Sequence, residues 1–262
     1  MKFPKKSLGQ NFLLDKNIIK KIINLSSLKD RNVIEIGPGK GSLTSEIIKQ
    51  NPKSLTLIEK DNDLSKNLKI RYLKSKNIKI FNVDVLKFDI EKIYKTNSII
   101  IGNLPYNISS QILVKILKGK IWPPKFKDLI LMFQKELGDK ILSNYPSANY
   151  GRISILTNLR LKYLNKFVVS PNCFFPKPKV TSLVIHFQPI IKKKFSIMDI
   201  NNLEKITNIL FSSKRKMINK NIKKILKSSE LKKLGKLNLN LRPSELSPDI
   251  YYKITEILEQ RT

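Results

Sequence analysis

The chain is poor in the residues that build several kinds of functional centre. Of its 262 residues one is cysteine, Cys173, and one is histidine, His186. A single cysteine excludes an intramolecular disulfide and any cysteine-cluster metal site, and a lone histidine has no second imidazole to share an ion with, so no metal is expected. Apolar runs are short. None approaches the roughly 18 residues of a membrane span, and the first 30 residues lack the apolar core of a signal peptide. A cytoplasmic protein with no membrane association is expected. Acidic residues are also scarce, 20 against 51 Lys and Arg, for a net charge of +31. Such an excess points first to nucleic acid and second to an anionic membrane surface. A lysine-biased composition, rich also in Asn and Ile, accounts for part of it. Denser basic runs occur at Lys192-Lys193-Lys194 and Lys214-Arg215-Lys216. Lys214, Arg215, Lys216 and Lys220 read as one helix face, either solvated or set against RNA phosphates.

What is present is a regular alternation. Residues 1–30 read as a basic arm leading into a helix at about Lys16 to Leu25. From 32 to about 143, short apolar runs bounded by turn residues alternate with helical patterns, as in a mainly parallel α/β sheet covered on both faces. A helical segment from Gly151 leads to strands near Lys162–Val169 and Lys179–Gln188, which read as antiparallel neighbours closing the sheet edge. Pro189 and the lysines after it mark a boundary, giving a domain over 1–190 and a small helical domain over 191–262. Within the second, Ser212-Ser213, Pro243 and Pro248 read as helix breaks.

Four strand ends carry chemistry. Val33-Ile34-Glu35-Ile36 runs into Gly37-Pro38-Gly39-Lys40-Gly41, with Ser42 where a helix cap belongs. A strand, a glycine turn and a helix let a ligand approach backbone closely. The spacing is G-x-G-x-G, which meets neither the dinucleotide pattern nor the phosphate-loop pattern. An adenosine-type ligand without a pyrophosphate fits, while tight strand–helix packing is the plainer alternative. Leu55–Ile58 ends in Glu59, 22 positions beyond Gly37, near the offset at which an acid meets ribose hydroxyls. Ile78–Val83 ends in Asp84, which can accept from an adenine amino group. Either acid alone reads more simply as a solvated cap. Ser98–Ile101 ends in Gly102-Asn103-Leu104-Pro105-Tyr106-Asn107. Pro105 stops the ladder, leaving an amide acceptor and an aromatic ring at the carboxyl end of a central strand, a pairing suited to the exocyclic amine of a nucleobase.

Together these residues resemble the S-adenosylmethionine-dependent rRNA adenine N6-dimethyltransferases over nearly the whole chain. Further matches are Ser7-Leu8-Gly9-Gln10-Asn11-Phe12-Leu13, Phe133-Gln134-Lys135-Glu136, Tyr150-Gly151-Arg152, Phe174 to Val180 and Arg242 to Ser247. The resemblance implies a Rossmann-like class I methyltransferase sheet, mainly parallel with an antiparallel edge. It implies S-adenosylmethionine held by Asn11, Leu13, Gly37, Glu59, Asp84 and Asn103. The target amine would meet the Asn103 side chain and the Leu104 carbonyl, with the base between Tyr106 and Phe174, a place for Phe174 in the core being the less favoured alternative. The opening segment and C-terminal motif look like the small-subunit branch, which modifies two adjacent adenines in the 3′-terminal hairpin of 16S rRNA. The expected partner is that RNA or an immature 30S subunit, met by a monomer. The large-subunit, antibiotic-resistance branch and a non-catalytic assembly factor are the alternatives. His186, Cys173 and Trp122 read as structural.

Overall fold

A computed structural model describes residues 9–192 and 194–261. Ser7, Leu8 and the rest of the arm's first residues, and Lys193 of the lysine run, lie outside the described residues. In chain order the elements are β1 (Phe12–Leu13), α1 (Lys16–Ile23), β2 (Asn32–Ile36), α2 (Ser42–Lys49), β3 (Ser54–Glu59), α3 (Asn62–Arg71), β4 (Ile78–Asn82), β5 (Ser98–Asn103), α4 (Ser109–Leu117), β6 (Phe126–Gln134), α5 (Lys135–Ile141), α6 (Arg152–Arg160), β7 (Leu161–Val169), β8 (Phe174–Phe175), β9 (Ser182–Pro189), α7 (Ile200–Phe211), α8 (Asn219–Ile222), α9 (Ser228–Leu231) and α10 (Pro248–Glu259). Among the described residues, no helix is long and apolar enough to cross a membrane.

The chain divides into two compact units. One takes the chain up to Gly138 together with Lys162–Pro189, and the other takes Asp139–Leu161 and the chain from Ile190 onward. The first unit holds a sheet of order β4-β3-β2-β5-β6-β9-β7. Its β2–β3, β3–β4, β2–β5 and β5–β6 pairs are parallel, and β9 runs antiparallel to β6. Along each inner strand the side chains alternate between faces. Val33, Leu57, Ile101 and Met132 join Ile19 and Ile22 of α1, Ile47 of α2 and Leu68 of α3 in one core cluster. The intervening Ile34, Ile58, Ile100 and Leu131 are buried as well, so both faces are covered. The helix starts follow local chemistry. The Asp15 side chain accepts from the Asn17 and Ile18 amides at the start of α1, and Asp61 accepts in the same way from the Asp63 and Leu64 amides of α3. The N-cap of α2 is Gly41, at φ +83°, and the expected cap Ser42 is instead the first helical residue. The turn delivers the chain to α2 in a left-handed conformation that glycine adopts without strain.

In the second unit α6, α7 and α10 pack together. The Tyr252 hydroxyl donates to the Ile155 carbonyl at 2.8 Å, and the Glu259 carboxylate accepts from the Met198 and Asp199 amides at 2.7 and 3.0 Å. This packing assigns Asp139–Leu161 to the C-terminal unit, whereas the sequence boundary at 190 puts that stretch with the sheet. Pro248 marks the break ahead of α10 by standing in its first turn, where its missing N–H costs nothing. The run Lys214-Arg215-Lys216 is a turn between α7 and α8, and Lys220 alone of the expected face lies in a helix.

At the amino-terminal end of β6 a polar cluster ties α1's exit to the sheet edge. Buried Asp128 accepts from Ser26 Oγ at 2.8 Å and from Gln188 Nε2 at 2.9 Å, and lies 2.7 Å from His186 Nε2. Burial pushes the Asp128 carboxyl up, but its three partners outweigh that and hold it below the ordinary value. A group so shifted adds stability above its unfolded value, and loses it as the pH falls through the folded one. Asp128→Ala leaves three polar side chains facing an apolar void, and we expect it to cost about 3 kcal/mol at neutral pH. Urea unfolding followed by circular dichroism measures this, and an unchanged midpoint would contradict a structural role.

Candidate active site

The order of strands reverses between β2 and β5, so the loops leaving their carboxyl ends diverge and open a crevice. The glycine turn follows β2. Gly37 and Gly39 sit at φ +70° and +59°, where side chains are rarely accommodated, and the Gly37 amide donates to Ile58 O at 2.9 Å. A Cβ on Gly39 would stand 3.1 Å from the Phe12 ring. The turn is therefore roofed closely by β1, and Lys40 Nζ lies 4.7 Å from the centre of that same ring. β1 is itself held by antiparallel pairing with β8, in the register Phe12 to Phe175 and Leu13 to Phe174.

The strand-end acids stand beside the turn. Buried Glu59 accepts the Gly39 amide on Oε2 at 3.0 Å and the Asp61 amide on Oε1 at 2.8 Å. Its carboxylate braces the turn while each oxygen keeps a second lone pair for a ligand hydroxyl. Burial raises its pKa, against the hydrogen bonds it accepts. Asp84 accepts the Leu86 amide on Oδ1 at 2.9 Å and pairs through Oδ2 with Lys60 Nζ at 2.9 Å. The Lys60 ammonium holds its carboxyl below the usual range.

At the end of β5, Asn103 Nδ2 donates to the Asn11 carbonyl at 3.1 Å. A carbonyl can only accept, so this bond sets which way the amide faces and leaves Oδ1 as an acceptor with no protein partner among the described residues. Tyr106 follows in the loop. Its hydroxyl lies 2.5 Å from Ser182 Oγ, on the fully buried first residue of β9. Burial pushes the Tyr106 hydroxyl up, opposed by the Ser182 bond.

Asn11, Leu13, Gly37, Glu59, Asp84, Asn103, Leu104 and Tyr106 all line this one cleft. Phe174 does not. It is buried in the core cluster with Leu13 and Ile19, because β8 alternates faces and its first ring turns inward while Phe175 turns out to solvent. The expected stack of the base between Tyr106 and Phe174 is therefore not assembled here, and the core alternative describes Phe174. Sequence reasoning missed the Tyr106–Ser182 contact, which joins residues far apart in the chain without a local signal. It also gave Glu35 no role of its own. That residue lines the cleft, is 1% exposed, accepts from Thr44 Oγ1 at 2.7 Å through Oε2, and has Oε1 buried without a partner. A charged residue inside an otherwise apolar strand, Val33-Ile34-Glu35-Ile36, was the available signal.

Burial pushes the Glu35 carboxyl from the ordinary 4.5 up to about 8. The folded protein thus keeps a proton that the unfolded chain releases, so stability from this group is complete below 4.5 and is lost as the pH rises through about 8. Glu35→Gln removes that loss. Thermal melts of the ligand-free protein should show the variant gaining on the wild type as the pH rises across this window. A constant difference would refute the assignment.

Comparison with known proteins gives the family. A family model described as ribosomal RNA adenine dimethylase matches residues 2–260. The chain is 42% identical over 260 residues to the ribosomal RNA small subunit methyltransferase A of Pelagibacter ubique, covering 97% of each protein. It is 38% identical over 257 residues to the protein of the same name from Malacoplasma penetrans, covering 96% of this chain and 91% of that one. Among solved structures, a dimethyladenosine transferase from Plasmodium falciparum superposes with a TM-score of 0.75 at 25% identity, covering 93% and 95% of the two chains. The 23S rRNA methyltransferase ErmE, at 23% identity and a TM-score of 0.67, shares the fold over 95% of this chain and 100% of its own. With the family match spanning nearly its whole length, the chain belongs to the ribosomal RNA adenine dimethylase family.

Proposed function

We propose that the protein transfers methyl groups from S-adenosylmethionine to N6 of two adjacent adenines in the 3′-terminal hairpin of small-subunit 16S rRNA, giving N6,N6-dimethyladenosines during assembly of the 30S subunit. The observation that carries this reading is the Asn103 amide, pinned by Asn11 with its oxygen free at the cleft. Relatives at 36–42% identity named for the small subunit support that choice of RNA. The reading brings with it a cytoplasmic location and a monomer acting on its RNA.

The cleft suits the methyl donor chemically. Glu35, Glu59 and Asp84 give it three carboxyl groups in a strongly basic protein, and Glu35 Oε1, buried without a protein partner, is left for a ligand. The glycine turn lets backbone approach that ligand, Glu59 receives the ribose hydroxyls, and Asp84 the adenine amino group. When bound, S-adenosylmethionine supplies an electrophilic methyl group. The protein's task is then mainly positioning. The target adenine must leave its stack to enter the cleft, as in other enzymes that act on bases. Its amine is a weak nucleophile because its lone pair is delocalised into the ring. Hydrogen bonds from N6–H to Asn103 Oδ1 and to the Leu104 carbonyl draw that pair back onto nitrogen. The Tyr106 ring, held by Ser182, lies against the base. The methylated amine gives up its proton to water, so no strong base is required.

Single-turnover methyl transfer to small-subunit RNA, measured beside donor titration, tests these roles. Asn103→Ala should lower transfer at least about 100-fold, with donor affinity reduced about tenfold or less for one missing hydrogen bond. Glu59→Ala should weaken donor binding far more than RNA binding. Turnover at the wild-type rate in Asn103→Ala would overturn the mechanism, and equal losses of both ligands in Glu59→Ala would indicate a collapsed turn.

A further inference from the structure

The ribbon formed by β1 and β8 has an inner and an outer side. Leu13 and Phe174, one directly opposed pair, turn inward to the core cluster. The other side carries Phe12, whose ring covers Gly39, and beside it an apolar rim exposed to solvent. Phe175, directly across from Phe12 in the register, is 51% exposed, Leu14 is 56% exposed and Val180 is 43% exposed. Between them the chain presents Lys177 and Lys179, both exposed. Asp15, the acid on this ribbon, is committed to capping α1. A half-exposed phenylalanine ring costs solvation free energy when left in water, and isolated apolar residues at a surface need no explanation. Here, however, the ring is one strand away from a cleft residue and is followed by two cations at alternating positions.

We infer that this rim is a docking surface for single-stranded RNA, in which Phe175 stacks on an unpaired base flanking the target adenine while Lys177 and Lys179 meet the adjoining phosphates. The inference rests on the function proposed above and extends it to a contact outside the cleft. A planar apolar face beside point cations matches a nucleotide strand, in which a base and a phosphate alternate. An apolar protein surface would leave both ammonium groups to be desolvated without a partner. A base drawn out of its helix leaves its neighbours unstacked, and an aromatic platform at the mouth offsets that loss.

The test uses the full-length protein and an unmethylated RNA hairpin copying the 3′ end of small-subunit RNA, with affinity read by fluorescence anisotropy over a range of salt. Phe175→Ala should bind this hairpin about tenfold more weakly at fixed salt, with the salt slope and donor affinity unchanged. Phe175→Tyr should bind as the wild type does. Replacing Lys177 and Lys179 together by Ala should flatten the salt slope by about 0.7 for each phosphate no longer neutralised. Unchanged melting temperatures establish that the variants fold. Wild-type affinity in Phe175→Ala overturns the inference. So does a defect seen only with assembled particles and not with bare RNA, which would assign the rim to a protein partner. If the wild type itself fails to bind the hairpin or methylate small-subunit RNA, the proposed function fails, and the rim's role with it.

Discussion

The reversal of strand order between β2 and β5 is the constraint on which the site depends. Parallel strands on either side of it send their connections to opposite faces, so their carboxyl ends alone are left open to a ligand. Every strand-end group with a proposed role follows from that placement. Gly37 leaves β2, Glu59 closes β3, Asp84 follows β4 and Asn103 closes β5, all on the same edge of the sheet. Hydrophobic burial on both faces holds the strands in register, and a slip of one residue would turn each of these groups to the wrong side.

On this frame a few polar bonds set the fine geometry. Glu59 fastens the glycine turn to the neighbouring strand end, and Asn103 fastens the strap carrying Asn11 to the central strand. The strap is held from the other side by β8, so the segment that roofs the turn is tied at both of its edges. The consequence is a cleft in which the acceptor oxygen of Asn103 is oriented before any substrate arrives. In the proposed mechanism this preorganised acceptor needs no rearrangement in the transition state, which is where such a contact has its largest effect. Glu35 belongs to the same logic. Its burial is unfavourable to the empty protein, and a cation in the cleft would relieve it.

Much of this was legible in the residues. The strand-end pattern, the glycine turn and the stop at Pro105 are local features with local causes, and the sheet and the cleft reproduce them. The features that were not legible depend on tertiary contacts. Whether Phe174 or Phe175 faces outward is set by a two-residue strand whose pairing partner lies far away in the chain, and no periodicity survives over two residues. The assignment of Asp139–Leu161 to the helical unit depends on α6 packing against α7 and α10, which the proline-marked boundary at 189 conceals. The turn at Lys214–Lys216 carries strong helix formers, but α7 ends at Phe211 ahead of the Ser212-Ser213 pair. Capping of α2 by Gly41 rather than Ser42 reflects the handedness that the glycine turn imposes on the chain entering the helix.

The most direct test of the central claim is transfer of labelled methyl from S-adenosylmethionine to undermethylated small ribosomal subunits, with large subunits alongside and the labelled nucleotides mapped. The account predicts N6,N6-dimethyladenosine at two adjacent adenines of the small-subunit 3′ hairpin and no label in the large subunit. Label in large-subunit RNA, or donor binding without transfer to either, would contradict it.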